Sequence, residues 1–180
     1  EMGYLRVTQI TQNQGAPLKT SHEETMLVVD LQTPLLPQSS TTLNLDFEGQ
    51  VPLQIRRSGR NSEEGVALSM SQWYPKMVEY DHEGWHDYPY IAREFHGVWG
   101  DFDVKLTLDK SYTVAATGYL QNADEIGHGY SDQEVRIRKN QKNLTWHFMA
   151  DNVHDFMWAA DPEYVHDRLV TADDVTLHFF

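Results

Sequence analysis

The chain has 180 residues, enough for one domain with a substantial core, and its 40% hydrophobic and 23% charged content exclude wholesale disorder. A net charge of −13, from 27 acids against 14 bases, repels duplex nucleic acid, and the absence of cysteine excludes disulfides and thiolate metal sites. The longest apolar run is five residues, Phe156 to Ala160, too short for a membrane-spanning helix.

The chain opens directly on a strand-like pattern without a signal-peptide type of leader, as expected of a processed or excised piece. In "YLRVTQI", Tyr4 and Arg6 point to one face while Leu5, Val7 and Gln9 point to the other. "TMLVVDL" (25–31) and "TTLNLDFEG" (41–49) repeat the alternation, with "QTPLLPQSS" as the proline-bearing break between them. Arg56, Arg57 and Arg60, beside Gly59 and Asn61, read as a solvated turn ahead of a strand in "VALSMS" (66–71). "DFDVKLTLD" sets Phe102, Val104, Leu106 and Leu108 on one face and Asp103, Lys105, Thr107 and Asp109 on the other, which describes a half-buried antiparallel strand. "YTVAATGYLQN", "QEVRIRK", "NLTWHFMA", "VHDFMWAA" and "DDVTLHFF" continue the series, separated by turns such as "LDKS" and "IGHGYSD". The expected fold is all-β, with mostly antiparallel twisted sheets in a sandwich-like arrangement and no substantial helix.

The pattern breaks at 72–100, an irregular stretch with two prolines, three glycines and eight aromatic residues. Loop-rich inserts of this kind are where function usually sits in a sheet protein. It contains "HEGWH", in which His82, Glu83 and His86 match H-E-x-x-H, the zinc-peptidase pattern. That chemistry needs a helix to bring both imidazoles to one face. Gly84 costs a helix about 1 kcal/mol relative to alanine, Pro89 follows closely, and Asp81 favours a turn. Zinc also needs a third protein ligand. Ala92 and Lys105 occupy the two downstream spacings at which zinc peptidases supply one, and nothing in the spacing singles out Glu94 or His96. The match is therefore read as coincidental, with no metal in this chain.

The same stretch carries the carboxylates Glu79, Asp81, Glu83, Asp87, Glu94 and Asp101, which could serve an autonomous hydrolase as an acid pair. Their spacing is undistinguished, and a minor ring core with acids outward is the preferred reading. Ser69 and Ser71 have no G-x-S-x-G context. On "VHDFMWAA", His154, Phe156 and Trp158 share one face of an expected strand.

Taken together and in order, "SQWYPKMVEYDHEGWH", "REFHGVWGDFDVKLTLDKSYTVAATGYL", "NLTWHFMADNVHDFMWAADPEYVHD" and "VTLHFF" resemble the amino-terminal β domain of the gluzincin aminopeptidases. This is the aminopeptidase N and leukotriene hydrolase family, and the likeness is greatest to its bacterial secreted branch. The resemblance implies a saddle-like β domain, residues 1–167 without its first strands, followed by a last strand at 168–180 leading towards an absent catalytic domain. Zinc and the working H-E-x-x-H are expected in that missing domain, with a peptide as substrate and a periplasmic or extracellular location. The family's cleft-lining glutamine falls on Val66 by count from Pro75, so its role is not carried over, and Gln72 is only a substitute. Gln72, Trp73 and Tyr74, with His154, Phe156 and Trp158, are the candidates for the substrate cleft or the domain interface. The chain alone is expected to be non-catalytic, without membrane span or nucleic-acid partner. The alternative is a self-standing carbohydrate-binding β-sandwich stacking sugars on Trp73, Trp85, Tyr88 and Trp99.

Overall fold

The structure, a computed structural model, describes residues 2–88 and 97–180. Pro89, Ala92, Glu94 and His96 lie outside the described residues. In chain order the strands are β1 (Tyr4–Gln12), β2 (Lys19–Glu23), β3 (Met26–Asp30), β4 (Leu43–Gln50), β5 (Gly59–Arg60), β6 (Leu68–Met70), β7 (Tyr80–Asp81) and β8 (Gly84–Trp85). There follow β9 (Gly100–Asp109), β10 (Thr113–Ala116), β11 (Tyr119–Leu120), the helix α1 (Ala123–Ile126), β12 (Asn143–Val153), β13 (Trp158–Asp161), β14 (Asp167–Val170) and β15 (Thr176–Phe179). Strand makes up 46% of the chain and helix 2%, and the paired strands are antiparallel, so the fold is all-β. No helix among the described residues is long and apolar enough to cross a membrane.

The chain forms two compact units, one built from 52–72 with 99–180 and the other from 2–51 with 73–98. The first contains a three-stranded sheet, β11-β12-β9, and a four-stranded sheet, β10-β13-β6-β5. The alternation of β9 and β12 puts their apolar sets on one face: Leu106 pairs with Trp146, Val104 with Phe148 and Phe102 with Ala150. Leu106, Leu144, Trp146, Phe148 and Ala150 are buried there, whereas Asp103, Lys105 and Thr145 face outward. Val114, Phe156, Trp158 and Ala160 complete this core, and Phe156 stacks on Phe102 with ring centroids 6.0 Å apart. Each such ring contributes about 1.5–3 kcal/mol through its removal from water.

The two sheets share their strand pairs, because the chain changes sheet twice at one corner. β10 passes into β11 at Thr117–Gly118, and β12 passes into β13 through 154–157. Thr117 N donates to Met157 O at 3.0 Å, and Met157 N donates to Thr117 Oγ1 at 3.1 Å, which fastens the corner. Gly118 has φ of +85°, and a Cβ there would lie 2.2 Å from the Met149 carbonyl oxygen, so only glycine fits. A bulge between Ala150 and Val153 turns the end of β12, with Asn152 N donating to Asp101 Oδ1 at 2.8 Å.

The other unit consists of three antiparallel pairs, β1-β4, β2-β3 and β7-β8. Its buried side chains are Ile10, Thr11, Gln12 and Leu18. Gln12 organises the local loops: Nε2 donates to Thr33 O at 2.8 Å and to Thr41 Oγ1 at 3.1 Å, and Oε1 accepts from Thr33 N at 3.0 Å.

Two expectations change. "QEVRIRK" is not a strand: its residues alternate, but no strand among the described residues pairs with them, and pairing rather than propensity makes a strand. "VHDFMWAA" is not one strand: Val153 ends β12, Trp158 begins β13, and 154–157 forms the sheet corner between them. The last segment, 168–180, takes in the whole β14–β15 hairpin except Asp167.

Candidate functional site

At "HEGWH" the backbone is a hairpin. Tyr80 pairs with Trp85 and Asp81 with Gly84, His82 and Glu83 form the turn, and Gly84 adopts φ of +103°. Asp81 builds this turn by accepting Glu83 N on Oδ1 at 2.8 Å, while its Oδ2 lies 2.9 Å from His86 Nε2. That bond, aided by the charges of Asp81, Glu79 and Glu83, raises the His86 pKa above the ordinary 6.5 and favours an imidazolium. His82 projects into solvent, 85% exposed. The two histidines thus lack the shared helical face of a zinc peptidase, and the carboxylate engaged by His86 is Asp81. Among the described residues no three His, Cys, Asp or Glu side chains converge as a metal site would require.

The six interface candidates are distributed differently from their expectation. Gln72 is exposed, and Trp73 and Tyr74 are half-buried, meeting edge to face at 5.1 Å. Phe156 is 0% and Trp158 8% exposed, so both are packed in the core of their unit. His154 is the exposed member of that trio, displaced from the others by the corner at 154–157. The four rings expected to form one sugar platform are divided between the units, Trp73, Trp85 and Tyr88 in one and Trp99 in the other.

His154 and the corner line an open cleft of about 510 Å³ in the 52–72 and 99–180 unit, together with Arg57, Ser69, Ser71, Asp155 and Met157. Most of its lining surface is apolar, and its serine and aspartate side chains are engaged by the local chain. Ser69 Oγ and Ser71 Oγ both donate to the Arg57 carbonyl, at 3.0 and 3.1 Å, and Asp155 Oδ1 accepts from Phe156 N at 2.8 Å. With both serine protons given to a carbonyl, neither hydroxyl is oriented by a base as a nucleophile must be. The Trp99 ring, 63% exposed, sits 5.3 Å from the His154 ring.

A second cluster escaped the sequence reading. Tyr130 Oη donates to Val114 O at 2.8 Å, and its ring contacts Trp146 on one side and His166, His178 and Phe180 on the other. His128 bonds Thr113 Oγ1 through Nδ1 at 2.9 Å and the Lys110 carbonyl through Nε2 at 3.1 Å. Burial lowers the pKa values of His128, His166 and His178 below 6.5 and raises that of Tyr130. The turn in "IGHGYSD" was visible in the sequence, but nothing there linked it to residues 38 and 50 positions further on.

Comparison of the chain with protein-family models, with curated proteins and with solved structures finds no match.

Proposed function

We propose that this chain is the non-catalytic amino-terminal β domain of a zinc-dependent, aminopeptidase-like metallopeptidase. It packs on a catalytic domain of the same polypeptide, shapes the mouth of a peptide-binding cleft and works outside the cytoplasm. The observation that carries this reading is positional. Of the segments that carry the resemblance, "GDFDVKLTLD", "YTVAATGYL", "NLTWHFMADNV" and "WAAD" fall on strands β9 to β13, which build the main core. The zinc belongs to the catalytic domain in this reading, and the β domain contributes surface rather than ligands. The coding sequence downstream of the Phe180 codon tests it directly: an H-E-x-x-H on a helical segment, followed by a ligand glutamate, is expected. A stop codon directly after Phe180 overturns the proposal, as does hydrolysis of aminoacyl substrates by this chain alone.

The second reading, a carbohydrate-binding module, is favoured by one observation, the exposed Trp99 ring beside the His154 cleft. An indole face next to hydrogen-bonding groups is how proteins hold sugars. Glycan-array binding lost on Trp99→Ala would establish it, and silence across a broad array would remove it.

A further inference from the structure

At the base of the β14–β15 hairpin, His166 and His178 stack with ring centroids 5.0 Å apart, and His166 Nε2 lies 2.8 Å from His178 Nδ1. A bond between two imidazole nitrogens needs one N–H and one lone pair. His166 Nδ1 is 3.0 Å from the His128 carbonyl, which can only accept, so the proton of neutral His166 is on Nδ1. In the neutral pair, His178 Nδ1–H therefore donates to His166 Nε2. One added proton is tolerated: His166 becomes the donor through Nε2–H, and His178 shifts its own proton to Nε2 and accepts on Nδ1. A second proton is not tolerated. Both facing nitrogens then carry N–H, no lone pair remains between them, and two near-parallel imidazolium rings repel each other.

The surroundings do not relieve that repulsion. On β14, Arg168 opposes further positive charge on either ring, and Asp167 favours it on His166. From the 127–132 segment come His128, Tyr130 and Asp132, of which Asp132 is paired with Arg168. Tyr164, ahead of β14, meets Phe180, and Phe180 stacks on His166 at 4.5 Å.

We propose that His166 and His178 form a pH-operated clasp, which closes the β14–β15 hairpin against the Tyr130 ring at neutral pH and opens it when both imidazoles are charged. Burial keeps both groups below the ordinary histidine value in the folded state. The stability they contribute is therefore fully present above pH 6.5 and is lost as pH falls through their folded values. Release uncovers the Tyr130 ring, so acid would expose an aromatic surface that is covered at neutral pH.

Segment-resolved hydrogen exchange of the purified protein, corrected for intrinsic rates between about pH 7.5 and 4.5, tests the clasp. Protection of the β14 and β15 amides is expected to fall about tenfold per pH unit once the second proton binds, while β9 and β12 stay protected. The variant His178→Asn places a neutral amide where Nδ1 sits, keeps the bond and leaves one chargeable ring, so its hairpin is expected to stay protected in acid. A wild-type hairpin protected at pH 4.5, or one lost at the same pH in both proteins, overturns the proposal. Nitrogen-15 NMR of the wild-type imidazoles decides the matter if the variant does not fold. His166 must carry its proton on Nδ1 at neutral pH, and the pair must titrate in two separated steps. The opposite tautomer, or two independent titrations, would sink the idea.

Discussion

The longest strands of one unit and the shortest of the other treat their aromatic residues in opposite ways. In the unit of 52–72 and 99–180, Trp146, Phe148 and Phe156 are 0–1% exposed, whereas in the other unit Tyr80, Trp85 and Tyr88 are 65%, 53% and 71% exposed. Ring content is high in both places, so it distinguishes neither a core nor a functional site. What differs is the strand behind the ring. β9 and β12 are ten and eleven residues long and pair over nearly their whole length, so every second residue gains a neighbour across the ladder. β7 and β8 are two residues each, and among the described residues the Tyr80 and Trp85 rings meet each other.

This contrast is broken most severely at Phe156. Its truncation in Phe156→Ala leaves a void between Phe102 and Phe148, and a loss of about 3–5 kcal/mol is expected from denaturant unfolding. A loss below about 1 kcal/mol would mean that the corner at 154–157 collapses onto the void. Asp161 comes next. It is 5% exposed, and its carboxylate accepts Ala67 N and Glu163 N, each at 2.7 Å, tying β13 to the segment before β6. Asp161→Ala should cost about 2–3 kcal/mol, because two backbone donors lose a charged acceptor.

In the other unit the largest expected effect is at a polar residue. Gln12→Ala removes three hydrogen bonds from a side chain in a residue 6% exposed, and a loss of about 1–2 kcal/mol is expected, read as faster amide exchange at Thr33. Trp85→Ala, at an exposed ring 4.9 Å from Tyr80, should change stability by no more than about 0.5–1 kcal/mol. A larger loss would show that the β7–β8 hairpin is integral to its unit.

What could be read from the sequence follows the same division. β1, β4, β9 and β12 were legible because one-sided burial or long pairing imposes a period of two on eight or more residues. β5, β7 and β8 were not, since a two-residue strand is defined by its partner and not by its own composition. β14, "DRLV", reads as a charged connection until β15 is laid beside it. The corner was hidden for a related reason. "VHDFMWAA" alternates well enough to pass for a strand, yet Thr117, far away in sequence, fastens its Met157 at the turn between sheets. His154 was thereby separated from Phe156 and Trp158 and left at the cleft. The histidine cluster was illegible because its links run through the carbonyls of Lys110 and His128, groups common to all residues.

The smallest expected effect is also the one that most directly opposes the two units. His86 and the His166–His178 pair are the same side chain shifted in opposite senses, by a carboxylate in one case and by burial in the other. Because the folded pKa of His86 lies above 6.5, its contribution is fully present below pH 6.5 and fades as pH rises through its folded value. The paired histidines weaken their unit in the reverse direction, as pH falls. In Asp81→Asn the carboxylate becomes a neutral amide while the turn-forming oxygen that accepts Glu83 N is kept. The His86 titration midpoint, followed by the NMR shift of its ring protons, should then fall, because burial pulls it down and only the charges of Glu79 and Glu83 still oppose that pull. The His166 and His178 midpoints should not move. An unchanged His86 midpoint would mean that Glu79 and Glu83, rather than the 2.9 Å contact with Asp81, hold the charge on this hairpin.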